Sequence, residues 1–519
     1  MPQSYDAIII GSGLGGLSAA AALAQRGRRV LVLERLANFG GAATIYRHGS
    51  LTMEASLHET DGDTVFNPHG AFARLGLADA LDPIKTDIFY ETRGGPLPGP
   101  VRVPHGLAEA REALTHALPA SRSAIGTYFD EMERLYRSLH ELEEMGARGP
   151  GALVSLLFSG RLFKLISDAR HTVQERFDGL FGTDEAVRFA LGAPLGYFDD
   201  DPAKLCFLLY AGVWSRFVES GSYYFKGGSR ALTLALAKQV KDASGNTIHN
   251  AEVREILLDA KGAAAGVAYV DKTGTAHEAL APLIFGNAAP TALSQMLPED
   301  RREAFEAHFA RYEPSVSLFN VSLGLTRPAT EFGVSAYSTF LFPDDMTRFA
   351  DYPVAAAVFG QKPQGRTPPF VVADYGRLDT QLRKDGDPYF VSLCGVDRLE
   401  WWAGLDEPGG MDRRKHWIDA LIAEVNRRFP GFAGAVSQAE IATARTMKNR
   451  LGTPSGEVYG FRPTPSRLFS RPPSAATPVK GLWISSAYTV SGGYAGAMQG
   501  GLMAADAAMR RAISHEPPR

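Results

Sequence analysis

Short apolar runs near the start of the chain are separated by glycine-rich turns and one alanine-rich segment. Residues 7–10 and 30–33 are each four apolar residues with β-branched members, which predicts strands buried on both faces of a parallel sheet. Residues 17–26 contain no proline or glycine, which predicts a helix that ends at Gly27. The strand–helix–strand order predicts a βαβ unit.

The rest of the chain divides into a helical and a sheet-forming region. Residues 69–220 repeat apolar positions at intervals of three and four, as in 125–145, which predicts mainly helices. Residues 291–440 contain strand-like segments, such as 315–325 and 388–394, separated by helical stretches. This second pattern predicts an antiparallel sheet with covering helices.

The turn after the first predicted strand carries a dinucleotide-binding pattern. Residues 11–16 satisfy G-x-G-x-x-G between a strand and a helix. Gly11 permits the tight turn, Gly13 lets the backbone approach a pyrophosphate, and Gly16 lets helix and strand pack closely. The free N–H groups at the helix start favour an anion. The predicted cofactor-binding residues of this turn are Gly11, Gly13, Leu14, Gly15 and Gly16.

An acidic residue ends the second predicted strand. Glu34 follows the glycines at the spacing of about 20 residues at which a carboxylate accepts from a ribose hydroxyl. Arg35, the pair Gly40 and Gly41, and Ala42 continue the pattern E-(R/K)-x(4)-GG. This arrangement resembles the FAD-binding flavoprotein oxidoreductases of the amine oxidase and phytoene desaturase superfamily. The resemblance implies FAD, rather than NAD, as the cofactor.

Residues 49–58 resemble the stretch G-(F/Y)-x-F-D-x-G that shapes the flavin pocket in the phytoene desaturase and retinol saturase groups. Glu54 replaces the family's aspartate and Ser56 its glycine. His58 falls where retinol saturases place a histidine. The resemblance therefore makes His58 and Glu54 candidate catalytic residues, with a hydrogen-bonded structural role as the alternative for each.

Later segments resemble the same superfamily in the same order along the chain. Gly227 and Gly228 precede a predicted helix, and residues 245–256 resemble the strand pair that holds the FAD adenine. Residues 449–460 resemble an element of the retinol saturase and carotenoid isomerase branch. Residues 491–501 resemble a segment in which a second helix begins beside the flavin. The dipole of that helix stabilises negative charge on the reduced flavin ring. The further cofactor-binding residues that the resemblance implies are Val253, Ala288, Ala487, Ala495, Gly496, Ala497 and Met498, with Tyr494 as a catalytic candidate beside the substrate.

The predicted fold class is α/β, with a Rossmann-type, glutathione reductase-like FAD-binding domain interleaved with a substrate domain of antiparallel sheet plus helices. The FAD-binding domain is predicted in three parts. The predicted boundaries are 1–68 for its first part, 69–220 for a helical region facing substrate or membrane, 221–295 for its second part, 296–445 for the substrate domain and 446–519 for its third part.

Composition limits which cellular compartments and which binding partners are expected. The chain has 519 residues, 45% hydrophobic and 21% charged, which is typical of a globular protein too long for one compact core. A net charge of −3 predicts no nucleic-acid surface. Cys206 and Cys394 have no metal-binding spacing, so we expect two buried thiols, no metal and a cytoplasmic location. We expect no signal peptide and no membrane-spanning helix.

Two segments, 153–166 and 205–213, are unusually apolar. We interpret both first as core helices lining a pocket. The alternative for 153–166 is an interfacial helix with Arg161 and Lys164 at lipid headgroups and Phe158 dipped into the acyl region. That alternative predicts peripheral membrane contact, through which a water-insoluble substrate reaches the active site.

The resemblance to the phytoene desaturase, carotenoid isomerase and retinol saturase family implies an FAD-dependent oxidoreductase. Its implied substrate is a hydrophobic polyene or isoprenoid lipid, in which carbon–carbon bonds are desaturated, saturated or isomerised by hydride exchange with flavin N5. The sequence holds no second fingerprint for NAD(P)H. Reoxidation then falls to oxygen, a quinone or a carrier, or is unnecessary in an isomerase.

Two alternatives stay open. The first is a flavin amine oxidase, a class with a G-Y-M-x-G-A stretch in its C-terminal helix. The stretch around Tyr494 reads G-Y-A-G-A, one residue shorter, which matches the carotenoid branch better. The second alternative is a non-catalytic FAD-binding protein.

Overall fold

The computed structural model describes residues 3–55, 59–148, 161–403, 410–467 and 472–513. The strands, numbered along the chain, are β1 (Gln3–Ser4), β2 (Ala7–Ile10), β3 (Val30–Glu34), β4 (Ile45–His48), β5 (Leu51–Glu54), β6 (Thr60–Asp61), β7 (Pro83–Lys85), β8 (Tyr90–Gly94), β9 (Val101–Val103), β10 (Ser222–Phe225), β11 (Asn246–His249), β12 (Glu252–Leu258), β13 (Ala264–Val270), β14 (Ala276–Leu280), β15 (Leu283–Gly286), β16 (Ser317–Leu325), β17 (Ser338–Phe342), β18 (Phe370–Asp374), β19 (Tyr389–Asp397), β20 (Val436–Ala442) and β21 (Leu482–Ile484). The helices are α1 (Leu14–Ala24), α2 (Gly62–Phe66), α3 (Ala71–Arg74), α4 (Leu107–Ala117), α5 (Arg122–Arg148), α6 (Arg161–Ala169), α7 (Val173–Phe181), α8 (Glu185–Gly192), α9 (Phe207–Ser220), α10 (Gly228–Asp242), α11 (Pro290–Gln295), α12 (Glu299–Phe309), α13 (Tyr352–Ala357), α14 (Gly410–Arg428), α15 (Ala444–Leu451) and α16 (Gly493–Ile513).

A parallel sheet of order β11-β3-β2-β15-β21 forms the centre of the dinucleotide-binding region. Both faces of β2 are buried, as its apolar sequence predicts. Ala7 and Ile9 point into a core with α1, α10 and α16, whereas Ile8 and Ile10 point into a second core with β12 and α12. The Rossmann-type fold predicted from the sequence is confirmed, and α1 begins three residues earlier than expected.

The two strands predicted over residues 245–256 lie in different sheets of the structure. Its first strand, β11, pairs in parallel with β3 and joins the central sheet. Its second strand, β12, pairs antiparallel with β13 in another sheet of order β1-β14-β13-β12. Both predicted strands are therefore present, and each satisfies its backbone groups in a different sheet.

The substrate region contains a sheet of order β20-β16-β19-β18-β17-β8-β9. Most of its pairs are antiparallel, as predicted, but β8 pairs in parallel with β17. Strands β8 and β9 come from the region expected to be mainly helical, so this sheet joins distant parts of the chain. One face packs against α14 and the other against α4, α5 and α9.

Helices α4 to α9 form the aromatic-rich core next to this sheet. Trp214 on α9 is buried, with Tyr128 and Phe129 of α5 at ring-centroid distances of 5.4 and 5.7 Å. The core interpretation of residues 205–213 is therefore confirmed. Residues 149–160 lie outside the described residues, so the interfacial helix over 153–166 stays a prediction.

Two further expectations from the sequence concern membrane-spanning helices and the burial of the two cysteines. In the described ranges, no helix combines the length and the apolar character that crossing a bilayer requires. Cys206 and Cys394 are both buried, as expected, with Cys206 at the start of α9 and Cys394 within β19.

Candidate active site

A continuous cavity of about 1890 Å³ runs from the end of β2 into the substrate region. Pockets for single drug-sized ligands have volumes of about 300–1,000 Å³. The cavity is therefore large enough for a dinucleotide and a second molecule together. Its nucleotide part is lined by the turn after β2, and its other part by side chains of α9 and the large mixed sheet.

The predicted fingerprint forms the backbone wall of the nucleotide part. Helix α1 starts after Gly13, and no side chain caps its first N–H groups. A Cβ atom at Gly13 would collide with the Asn287 side chain, and one at Gly15 with the Ser485 carbonyl oxygen. Glycine at both positions lets these neighbouring groups pack closely against the turn that lines the cavity. Gly16 lies behind it, packed on the Gly11 carbonyl, as predicted for close helix–strand contact.

Glu34, the predicted ribose acceptor, lies at the end of β3 and lines the cavity. Its Oε2 accepts from the Ser12 backbone N–H at 2.8 Å and from the Ser12 hydroxyl at 2.6 Å. Its Oε1 accepts from the Leu36 N–H at 2.8 Å. The carboxylate is held at the cavity wall, and the remaining lone pairs of its oxygens can accept from hydroxyl groups of a ligand.

The second glycine pair lies directly beside the first. The Gly40 N–H donates to the Ser12 carbonyl at 3.0 Å, and a Cβ at Gly41 would lie 3.5 Å from the Gly13 Cα. Gly40, Gly41 and Ala42 all line the cavity. Arg35 donates from its guanidinium to the carbonyls of Asn449 and Arg450, so it also ties the C-terminal part of the chain to the nucleotide site.

The C-terminal helix α16 begins at the same cavity, as predicted. Gly493 and the next residues line it, including Tyr494, Ala495, Gly496 and Ala497. Met498 does not line it: its side chain is buried in the core with Leu502 and Ala505. The helical period explains this, because Met498 and Leu502 are four residues apart and lie on the side of α16 that faces the core.

The remaining predicted cofactor residues line the cavity from three other elements. Val253 follows the start of β12, where the strand is bulged, and Ala288 follows β15. Ala487 follows β21. The predicted element 449–460 packs against this last turn, where Glu457 accepts from the Tyr488 hydroxyl at 2.6 Å.

Glu54 does not line the cavity but is fully buried behind it. Its Oε1 accepts from the Ser229 N–H at 3.3 Å and from the Ser229 hydroxyl at 3.1 Å, near the start of α10. Burial raises the pKa of Glu54 to about 8, although the Ser229 and Tyr224 hydrogen bonds act in the opposite direction. These contacts favour the structural alternative for Glu54.

The other two catalytic candidates have different positions. Tyr494 lines the cavity at the start of α16, with its ring centroid 6.5 Å from that of Phe225. Burial raises the pKa of Tyr494 well above its ordinary value, which keeps the phenol neutral. His58 lies outside the described residues, so its role stays a prediction.

The substrate part of the cavity is mainly apolar and aromatic. Phe89 stacks on Phe217 at a centroid distance of 5.4 Å, and both line this part together with Trp214. Its further apolar walls include Pro194, Tyr197, Phe198, Leu209, Val213 and Leu318. The polar rim contains Asp61, Glu143 and Arg216, in which the guanidinium is 2.9 Å from Glu143. The walls fit a hydrophobic molecule.

Sequence reasoning missed three cavity residues. Asn287 follows β15 and places its amide against the first glycines. Arg467 donates to the carbonyls of Phe461 and Val490 at 2.6 and 2.7 Å, and burial lowers its pKa to about 10. Glu59 carries a buried carboxyl. A polar residue directly after a buried parallel strand is a signal that could have identified Asn287.

These residues fit a dinucleotide. The start of α1, which no side chain caps, lies beside the glycine pair Gly40 and Gly41. The Glu34 carboxyl, fixed by Ser12, lies at the ribose position of the fold, and α16 begins at the same cavity. The described residues contain no cluster suited to a metal ion. Together the fold and the site define a dinucleotide-binding protein of the Rossmann type.

Comparisons with known proteins agree with this class. Residues 9–72 match a family described as NAD(P)-binding Rossmann-like domain. The chain is 21% identical to all-trans-retinol 13,14-reductase of Danio rerio, over 99% of this chain and 88% of that protein. It is 24% identical to a chloroplastic prolycopene isomerase of Daucus carota, over 93% and 76%, and 25% identical to a neurosporene-forming phytoene desaturase of Cereibacter sphaeroides, over 94% and 91%.

Solved structures show the same fold. Putrescine oxidase bound to putrescine superposes with a TM-score of 0.63 at 16% identity, covering 98% of this chain and 99% of that chain. An oxidoreductase from Methanosarcina mazei gives a TM-score of 0.62 at 15% identity, over 97% and 100%. The resemblance to the phytoene desaturase, carotenoid isomerase and retinol saturase family is therefore confirmed over nearly the whole chain.

Proposed function

We propose that this protein is an FAD-dependent oxidoreductase that acts on carbon–carbon bonds of a hydrophobic polyene or isoprenoid lipid. The observation that carries the proposal is the single cavity that joins the nucleotide fingerprint to the aromatic walls of α9. A bound flavin would supply hydride transfer to or from a carbon of the substrate. Relatives named for retinol reduction, prolycopene isomerisation and phytoene desaturation support this substrate class.

The chain's own residues would bind FAD from several sides. The first turn of α1 would take the pyrophosphate, and Glu34 would accept from the ribose. Val253 would hold the adenine, and the start of α16 would face the flavin ring. Asn287, pressed against the glycines of the fingerprint, would fix the shape of that surface.

The substrate part of the cavity would bind and orient the polyene and exclude water. Trp214 and Phe217 offer flat aromatic surfaces, and Val213 adds a small aliphatic one. Excluding water from the reacting carbon is the main contribution that such a wall makes. His58 and Tyr494 remain the proposed groups beside the substrate, and Glu54 remains proposed as an acid or base with its structural role as the alternative.

An anaerobic spectral titration tests the proposal. The purified protein should be yellow, with about one FAD per chain by extraction and chromatography. Polyenes, unsaturated fatty acids and amines are then added to the oxidised protein and to the chemically reduced protein. Bleaching by a polyene, or polyene turnover by the reduced protein, is the expected result. A protein that binds FAD but reacts with none of the polyenes would contradict the proposed substrate class.

Amine oxidation is the second candidate, because putrescine oxidase shares the fold. Bleaching of the flavin by an amine, and not by a polyene, would select it. The same titration therefore separates the two functions. It also shows whether oxygen, a quinone or no acceptor is needed, because reoxidation can be followed after each is added.

A further inference from the structure

Glu59 differs from the other carboxyls in the described part of this cavity. One of its oxygens is fully buried and has no hydrogen-bonding partner. Glu59 lines the cavity immediately before β6. Its Oε2 is shielded from solvent, and no described group donates to it. Leaving a buried polar group without a partner destabilises the folded protein. Such a group at a cavity wall points to a functional role rather than a structural one.

Neighbouring carboxyls in the same region show what a structural acid does. Glu34 accepts from Ser12 and from the Leu36 N–H. Glu457 accepts from the Tyr488 hydroxyl and from Ser455. Each holds a turn in place through these hydrogen bonds, whereas Oε2 of Glu59 accepts from no described group.

The surroundings of Glu59 favour its neutral, protonated form. The Tyr197 and Tyr337 phenols lie within electrostatic reach of it, and both are neutral because burial raises the pKa of each well above its ordinary value. Among the described residues no cation offsets the burial, which raises the pKa of Glu59 to about 8. The side chain is therefore an O–H donor at neutral pH.

Glu59 lines the same cavity as Tyr494, which lies at the start of α16. Tyr197, whose phenol lies within electrostatic reach of Glu59, also lines it. The acid and the apolar walls therefore belong to one binding space.

We propose that Glu59 is the proton donor to a substrate carbon, and that the enzyme works in the reductive direction, saturating a C=C bond. This inference rests on the proposed function. Saturation adds one hydride and one proton across the double bond. The hydride is the contribution of a reduced flavin. The proton comes from Glu59: its O–H bond breaks, a C–H bond forms at the neighbouring carbon, and a carboxylate remains. A proton from solvent, entering through the polar rim, restores the acid.

The variants Glu59→Gln and Glu59→Asp test the assignment. Glutamine keeps the size and cannot donate a proton, whereas aspartate keeps the acid one carbon further away. With chemically reduced flavin and a polyene under anaerobic conditions, Glu59→Gln should slow flavin reoxidation by about 10²- to 10⁴-fold, with partial rescue in Glu59→Asp. Flavin content and polyene binding should stay within twofold of wild type. The surface variant Glu331→Gln, at an exposed ion pair with Arg327, is the matched control.

An infrared difference spectrum supplies a readout independent of activity. Subtracting Glu59→Gln from wild type at neutral pH should leave the carbonyl band of a neutral carboxylic acid, and subtracting Glu331→Gln should not. A carboxylate band in its place would overturn the assignment and favour the oxidative direction. Unchanged reoxidation in Glu59→Gln would also overturn it and leave the proposed function intact. Failure of the wild-type protein to react with any polyene would instead overturn the proposed function.

Discussion

The hydroxyl of Ser12 donates a 2.6 Å hydrogen bond to Oε2 of Glu34, so the second residue of the glycine turn is tied to the acid at the end of the next strand. The Ser12 N–H donates to the same oxygen at 2.8 Å. The turn that would hold phosphates and the acid that would hold a ribose are thereby one rigid unit. A ligand gains affinity from such a site because little ordering is left to do on binding.

Ser12→Ala should weaken flavin binding without abolishing it. The backbone hydrogen bond to Glu34 remains, while the hydroxyl bond, worth about 1.5–3 kcal/mol to a charged acceptor, is lost. We expect the flavin dissociation constant, measured by fluorescence on reconstituting the apoprotein, to rise by about 10- to 100-fold. Ser12→Thr, which restores a hydroxyl, is the matched comparison. Equal affinity in Ser12→Ala and wild type would contradict a role for this hydrogen bond.

Gly13→Val should give a colourless protein. The new side chain collides with the Asn287 amide, which displaces the turn that would bind the phosphates. Gly99→Val is the control, because a Cβ at Gly99 meets nothing within 4 Å. Absorbance of the flavin relative to protein measures the outcome, and circular dichroism verifies folding. A folded, fully yellow Gly13→Val protein would contradict the assignment of the pyrophosphate site.

Val213→Trp should separate substrate binding from flavin binding. Val213 lines the apolar part of the cavity on α9, so a larger side chain fills space that the polyene needs. Overpacking of about 1–3 kcal/mol predicts a loss of polyene affinity of about 10- to 100-fold at unchanged flavin content. Leu234→Trp, at an exposed position on α10, is the control. Quenching of protein fluorescence by the polyene measures the affinity.

Glu54→Gln should change how stability depends on pH. The pKa of Glu54 is about 8 in the folded protein and 4.5 when exposed, so the folded state holds the proton more tightly. The stabilisation by this group is complete below about pH 4.5 and is lost as the pH rises to about 8, by at most about 1.4 kcal/mol per pH unit. The glutamine variant lacks this loss.

Urea unfolding at pH 5, 6, 7 and 8 measures the effect. The stability of wild type minus that of Glu54→Gln should fall steadily over this range, and the corresponding difference for Glu331→Gln should stay flat. A constant difference between wild type and Glu54→Gln would show that Glu54 is already ionised at pH 5 in the folded protein.

Much of the nucleotide site follows from local sequence. The fingerprint glycines, Glu34 and the first residues of α16 all lie where their spacing and the family resemblance place them. Each belongs to a motif whose residues are close in the chain, and short-range geometry fixes their arrangement. Met498 is the exception, because its side of α16 depends on which core the helix meets.

The parts that sequence reasoning missed depend on long-range pairing. Strand β8 joins β17 although about 250 residues separate them in the chain. No sequence pattern predicts that Oε2 of Glu59 lacks a hydrogen-bonding partner, because this is a property of the folded surroundings. Asn287 acquires its role only when β15 lies next to β2.

The central sheet has a consequence for biosynthesis. Its strands come from residues 7–34, 246–286 and 482–484, so β21, at one edge of the sheet, emerges from the ribosome after the other four strands. Helix α16, which covers α1, follows even later. A nascent chain arrested before residue 480 would therefore expose the apolar side of α1 and lack one wall of the nucleotide site. The nucleotide site is therefore complete only once residues 482–513 have folded against β15 and α1.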